Sequence, residues 1–65
     1  MKYKINIWQY HSIIDTYESD KIEEVLKWYE ENYKWTYEMG NCSFDVLEDN
    51  EVLTFKQEKE LGFYK

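Results

Sequence analysis

The chain predicts an α+β fold of order β-α-β-β: a small, mainly antiparallel three-stranded sheet with one long amphipathic helix packed on one face. Three observations carry this. Apolar residues alternate with polar ones near the start and again after residue 41. A long stretch between them repeats at helical spacing. Gly40 and Asp49-Asn50 stand where a helix and a hairpin should turn.

The first element spans about residues 2–17. Tyr3, Ile5 and Ile7 alternate with Lys4 and Asn6, and Ile13 keeps that phase, while Trp8, Tyr10 and Ile14 occupy the other face. The apolar phase weakens from Gln9 to Ser12. One long, bent or bulged strand fits this better than two strands joined by a tight turn. The helix spans about residues 20–39. Asp20 with Glu23 reads as a capping box, and Ser19 competes as the cap. Ile22, Val25, Leu26, Tyr29, Tyr33, Thr36 and Tyr37 share its apolar face. Gly40 is a natural stop. A hairpin follows over about residues 42–56, turning at Asp49-Asn50, since both residues tolerate positive φ. That loop sets Val46 against Leu53 and Phe44 against Phe55. The tail, residues 57–65, carries Leu61, Phe63 and Tyr64, which should fold back on the rest.

Sixty-five residues allow one domain. Such a chain buries only about 60% of its unfolded surface, so dense packing or self-association must supply stability. A lone cysteine, Cys42, excludes an internal disulfide and suits a cytoplasmic setting. His11 and Cys42 are the only soft ligands, too few for structural zinc, and neither has a catalytic signature around it. No glycine-rich phosphate loop or calcium loop is present, and the run Glu48 to Glu51 reads as a solvated turn. No cofactor is expected and no enzyme motif is found. No run of apolar residues reaches the roughly 20 of a membrane helix.

Three Trp, seven Tyr and three Phe stand beside fourteen acids, with no Arg and a net charge of −6. Each aromatic ring buries about 150–250 Å², more apolar surface than one small core requires. Residues 1–14 hold two lysines and no acid; the acids gather in the helix and the hairpin. Direct nucleic-acid binding is argued against, because a basic footprint is missing. Glu23, Glu24, Glu30, Glu31 and Glu38 could instead form a row of carboxylates along the helix, imitating the phosphates of DNA, which carries a charge about every 1.7 Å. Trp28 and Trp35, seven residues apart, lie on the flank of the helix's core face, and Trp8 and Tyr10 on the strand face opposite Ile5. These nine residues are the candidate partner-binding set.

In size, charge and composition the chain resembles the small acidic proteins that phages use to disable host defence nucleases or nucleic-acid-binding enzymes. The absence of Ala, Arg and Pro, whose codons are GC-rich, fits an AT-rich genome. The resemblance implies a non-enzymatic inhibitor that binds a host nuclease or another basic protein. The alternative is a homo-oligomeric structural or regulatory module, a homodimer for example, whose surplus aromatics are buried between copies.

Overall fold

The computed structural model describes residues 1–64; Lys65, the last residue of the tail, lies outside them. The fold is α+β. Strands β1 (Tyr3–Gln9), β2 (Ser12–Ser19), β3 (Ser43–Glu48) and β4 (Glu51–Val52) form one antiparallel sheet in the order β2-β1-β3-β4. Helices α1 (Ile22–Asn32) and α2 (Lys34–Glu38) connect β2 to β3, and α3 (Phe55–Leu61) follows β4.

The sheet therefore has four strands rather than three, because the first segment is two strands and not one bent strand. Gln9 pairs with Ser12 across a two-residue turn at Tyr10 and His11, whose φ angles are 52° and 67°. Positive φ at both central residues is what a tight hairpin needs to match the twist of its strands. The register shifts between Ile7 and Trp8, where Ile7 pairs with Asp15 and Trp8 with Ile13. That bulge puts Ile14 out of phase and explains why the apolar alternation fades along the sequence.

The single long helix is likewise two. Tyr33 has φ −132° and ψ −11°, outside the helical range, and separates α1 from α2. Asn32 donates its side-chain amide to the Trp28 carbonyl at 2.8 Å, the local competition with helix bonding that Asn brings to such positions. The expected capping box at Asp20 and Glu23 does not form. Lys21 is the N-cap, without a side-chain bond. Ser19 accepts from the Lys21 amide at 3.1 Å and donates to Glu24 at 2.6 Å. At the far end, Gly40 takes φ 78° and the Asn41 amide donates to the Thr36 carbonyl. This is the left-handed cap that Gly supplies without strain.

The second hairpin turns at Asp49-Asn50 as expected, with φ 50° and 70°. Leu47 pairs with Val52, and the Leu53 amide reaches the Val46 carbonyl at 2.8 Å. The return strand ends there, not at residue 56, so Phe55 does not face Phe44. The cause is a capping box: Thr54 accepts from the Gln57 amide while the Gln57 side chain accepts from the Thr54 amide. This starts α3 two residues after β4.

Stopping β4 early deprives the Val46 N–H of the strand carbonyl it would meet. Glu58, on α3 and only 6% exposed, takes that place: its Oε2 accepts from the Val46 amide at 3.2 Å. Its Oε1 accepts from the Tyr64 hydroxyl at 3.2 Å. Gly62, at φ 102°, turns the chain so that Phe63 enters the core. That core is Ile5, Ile7, Val25, Tyr29, Phe44, Val46 and Phe63. Its strand members all lie on one sheet face, where Ile5 pairs with Val46 and Ile7 with Phe44. Phe44 is the hub of the aromatic packing. Its ring centroid lies 4.7 Å from Tyr29, 5.0 Å from Tyr37, 5.5 Å from Tyr64 and 5.7 Å from Phe63. Such ring pairs contribute about 0.5–1.5 kcal/mol each beyond area burial.

Two predictions follow from this core. Phe44→Ala should cost about 3–5 kcal/mol, comparable to all the stability a core of this size provides. It should abolish a cooperative thermal transition by circular dichroism. Burial pushes the Glu58 carboxyl above the ordinary glutamate range, and Asp45 adds to this; the Val46 and Tyr64 hydrogen bonds work the other way. A carboxyl whose folded pKa is raised contributes most below its unfolded pKa, about 4.3, and loses that contribution as pH rises through the raised value. Glu58→Gln keeps an acceptor and cannot ionise. Its stability relative to the parent, measured by urea unfolding, should therefore improve between pH 4 and 7. Glu58→Ala should be destabilised at both pH values, since it orphans the Val46 N–H, at about 1–3 kcal/mol per lost partner.

Candidate protein-interaction surface

Packing consumes most of the aromatic surplus, so the surface is defined by what remains outside. Trp28 belongs to the packing. It stacks on Tyr17 at 5.2 Å and 12° and touches Tyr33 at 5.3 Å, half-buried. Its separation from Trp35 by the break at Tyr33 dissolves the aromatic line expected along one helix. Trp35 projects from α2, 75% exposed, with Met39 one turn on at 57%. Tyr10 is 89% exposed at the first hairpin's tip. Trp8 is half-buried on the sheet face opposite the core, beside Ile13 and Ser43, and its buried indole N–H has no hydrogen-bond partner among the described residues.

The break also interrupts the acid row. Glu23, Glu24, Glu30 and Glu31 are exposed on α1, and Glu38 is exposed on α2 beyond Tyr33. Glu24 is engaged by Ser19, and Glu30 by Lys34 at 3.6 Å. Among the described residues, Glu23, Glu31 and Glu38 enter no ion pair. The two lysines at the start of β1 are matched instead by Glu18, at 3.4 Å from Lys2 and 3.8 Å from Lys4.

Both sheet edges are blunted. β4 has two residues before α3 replaces it. β2 is an exposed eight-residue edge, but its Thr16 amide is taken by the Asp15 carboxylate at 2.8 Å. The other oxygen of Asp15 accepts from the Tyr33 hydroxyl at 2.8 Å. That hydrogen bond, with some burial, holds the Tyr33 phenol above its ordinary range. A charged side chain closing an edge donor is a recognised guard against strand-to-strand association. Nothing in the sequence pattern marked Asp15 for this role; it became visible only once β2 was seen to be an edge.

The groups suited to chemistry are apart. His11 is at the exposed turn, and its groove is also lined by Ser43 and Asp45, yet no hydrogen bond joins these three. Cys42 is half-buried against the core, and burial pushes its thiol up, away from the reactive thiolate. Among the described residues no three His, Cys, Asp or Glu side chains gather as for a metal ion. Among them, too, no helix is long and apolar enough to cross a membrane. Comparison of the chain with protein families, curated proteins and solved structures returns no match.

The different positions of the two helical tryptophans give a direct check. Trp35→Ala should leave stability within about 0.5 kcal/mol of the parent, as for other surface changes. Trp28→Ala removes the Tyr17 stack and should cost more than about 1 kcal/mol. Urea unfolding of the two variants reads the difference.

Proposed function

We propose that this protein is a non-enzymatic inhibitor that acts by binding another protein. The observation that carries the reading is the pairing of free acids with exposed aromatic side chains. Among the described residues Glu23, Glu31 and Glu38 enter no ion pair, and Trp35, one helical turn from Glu31 and Glu38, is exposed while the core closes without it. Acids of this kind speed encounter with a cationic surface, and aromatic side chains supply buried contact afterwards. The resemblance in size and charge to phage proteins that disable host defence supports a nuclease or nucleic-acid-binding enzyme as the target class. Carboxylates would occupy its basic groove in place of phosphates.

A second reading is a homo-oligomer. One observation favours it: on the outer sheet face Ile13 and Val52 are exposed beside Trp8 and Leu47. The shortness of β4 argues against strand addition at that edge. Sedimentation at increasing concentration separates the readings, a monomer favouring the first.

Tagged protein should capture a nuclease or nucleic-acid-binding protein from a low-GC bacterial lysate at low salt. Its affinity for the purified partner should fall at least tenfold between 50 and 200 mM salt, about 1.4 kcal/mol, because exposed charges are screened over about 10 Å at 0.1 M. Glu23→Gln/Glu31→Gln/Glu38→Gln should flatten that dependence. A complex indifferent to salt would reject charge mimicry.

A further inference from the structure

The first hairpin's tip is built against local preference. Two tight turns in this chain place both central residues at positive φ. The second uses Asp49-Asn50, residue types that enter the left-handed region readily. The first uses Tyr10-His11. His is tolerated there, but a Tyr is a rare occupant, because its Cβ crowds the backbone. Asn-Gly would satisfy the same geometry with little strain. Nothing in the fold offsets the choice. Tyr10 is 89% exposed, and no hydrogen bond or ring contact engages it among the described residues.

The surroundings of the tip share one character. From Trp8 to Ile14 the chain carries no Asp, Glu, Lys or Arg, in a protein with 34% charged residues. Ile13 and Ile14, just past the turn, are 48% and 47% exposed. An uncharged aromatic and aliphatic patch with acids at its border, here Asp15 and Asp45, has the anatomy of an interface centre and its polar rim.

We propose that the Tyr10–His11 hairpin tip, with Ile13 and Ile14 beside it, inserts into an apolar pocket rimmed by cationic side chains on a folded protein partner. Tyr10 is the anchor. The complementary rim is set by Asp15, next to Ile14, and Asp45, which lines the groove beside the tip, so the inference rests on the protein-binding reading above and moves its contact centre from the helix to the hairpin. Local strain that folding does not explain is common at functional positions, and Tyr is among the residues that dominate binding energy at interface centres.

Tyr10→Asn, alone and with His11→Gly, tests this in three measurements. The melting temperature should rise by about 4 °C or more, the shift that removing strain of this kind produces in a domain of this size. A fall would show that Tyr10 supports the fold and would overturn the proposal. The neutral, apolar nitroxide TEMPOL should attenuate the parent's Tyr10, Ile13 and Ile14 amide signals more strongly than those of Val52 and Phe55. Equal attenuation would remove the patch. Against the partner purified by the capture experiment, Tyr10→Asn should weaken binding at least 30-fold. The helix Glu→Gln variant should chiefly change salt dependence. Undiminished affinity of Tyr10→Asn overturns the tip and leaves charge mimicry standing; lost salt dependence alone does the reverse. Sedimentation of a parent dimer that Tyr10→Asn dissolves would also overturn it, the occupant then being a second copy.

Discussion

The structure depends on a substitution of one acceptor for another: the Glu58 carboxylate stands where a longer β4 would have placed a carbonyl. Without it the Val46 N–H, beside the fully buried Val46 side chain, would be an orphan in a dry core. With it, α3 can begin only two residues beyond β4 and dock through Glu58 on β3. Glu58 also receives the Tyr64 hydroxyl, which brings the last described residues back over Phe44. One buried acid thus joins sheet, third helix and C-terminal segment. It is placed at the cost of desolvation that its two hydrogen bonds only partly offset.

That closure supplies the dense packing that so short a chain requires. Phe44, Tyr29, Tyr37, Phe63 and Tyr64 form a continuous aromatic cluster, and Tyr17 stacks with Trp28 along the other side of α1. These rings stabilise the fold from within. The remainder, chiefly Tyr10 and Trp35, stands exposed outside that cluster.

Much of this was legible in the sequence. Alternation at Ile5 and Ile7 and at Phe44 and Val46, the helical stripe through Val25 and Tyr29, and the turns at Gly40 and Asp49-Asn50 each state a local preference that the fold obeys. The misreadings have physical causes. Tyr10-His11 hides a tight turn because neither residue type ordinarily signals positive φ, and the bulge at Ile14 blurs the phase. Tyr33 breaks the helix with no Pro or Gly to announce it. Thr54 and Gln57 carry a readable capping box, but it competes with the strand pattern that Val52 to Lys56 also presents. Of the candidate surface, the exposure of Trp35 and of the outward acids was legible from charge and spacing, whereas Tyr10, which the alternation places on a strand face, lies at the hairpin turn. Trp28's stack on Tyr17 was not legible, because it requires β2 to exist as a separate strand.

Amide hydrogen exchange at Val46 tests the central claim most directly. If Glu58 closes the core, the Val46 amide should exchange as slowly as the most protected amides of β1, through global unfolding alone. It should lose that protection in Glu58→Ala while Ile5 and Ile7 keep more of theirs. A Val46 amide that exchanges in the parent as fast as those of the exposed turns would contradict the account. The carboxylate would then not replace the strand, and the exposed aromatics could no longer be read as surplus to a finished core.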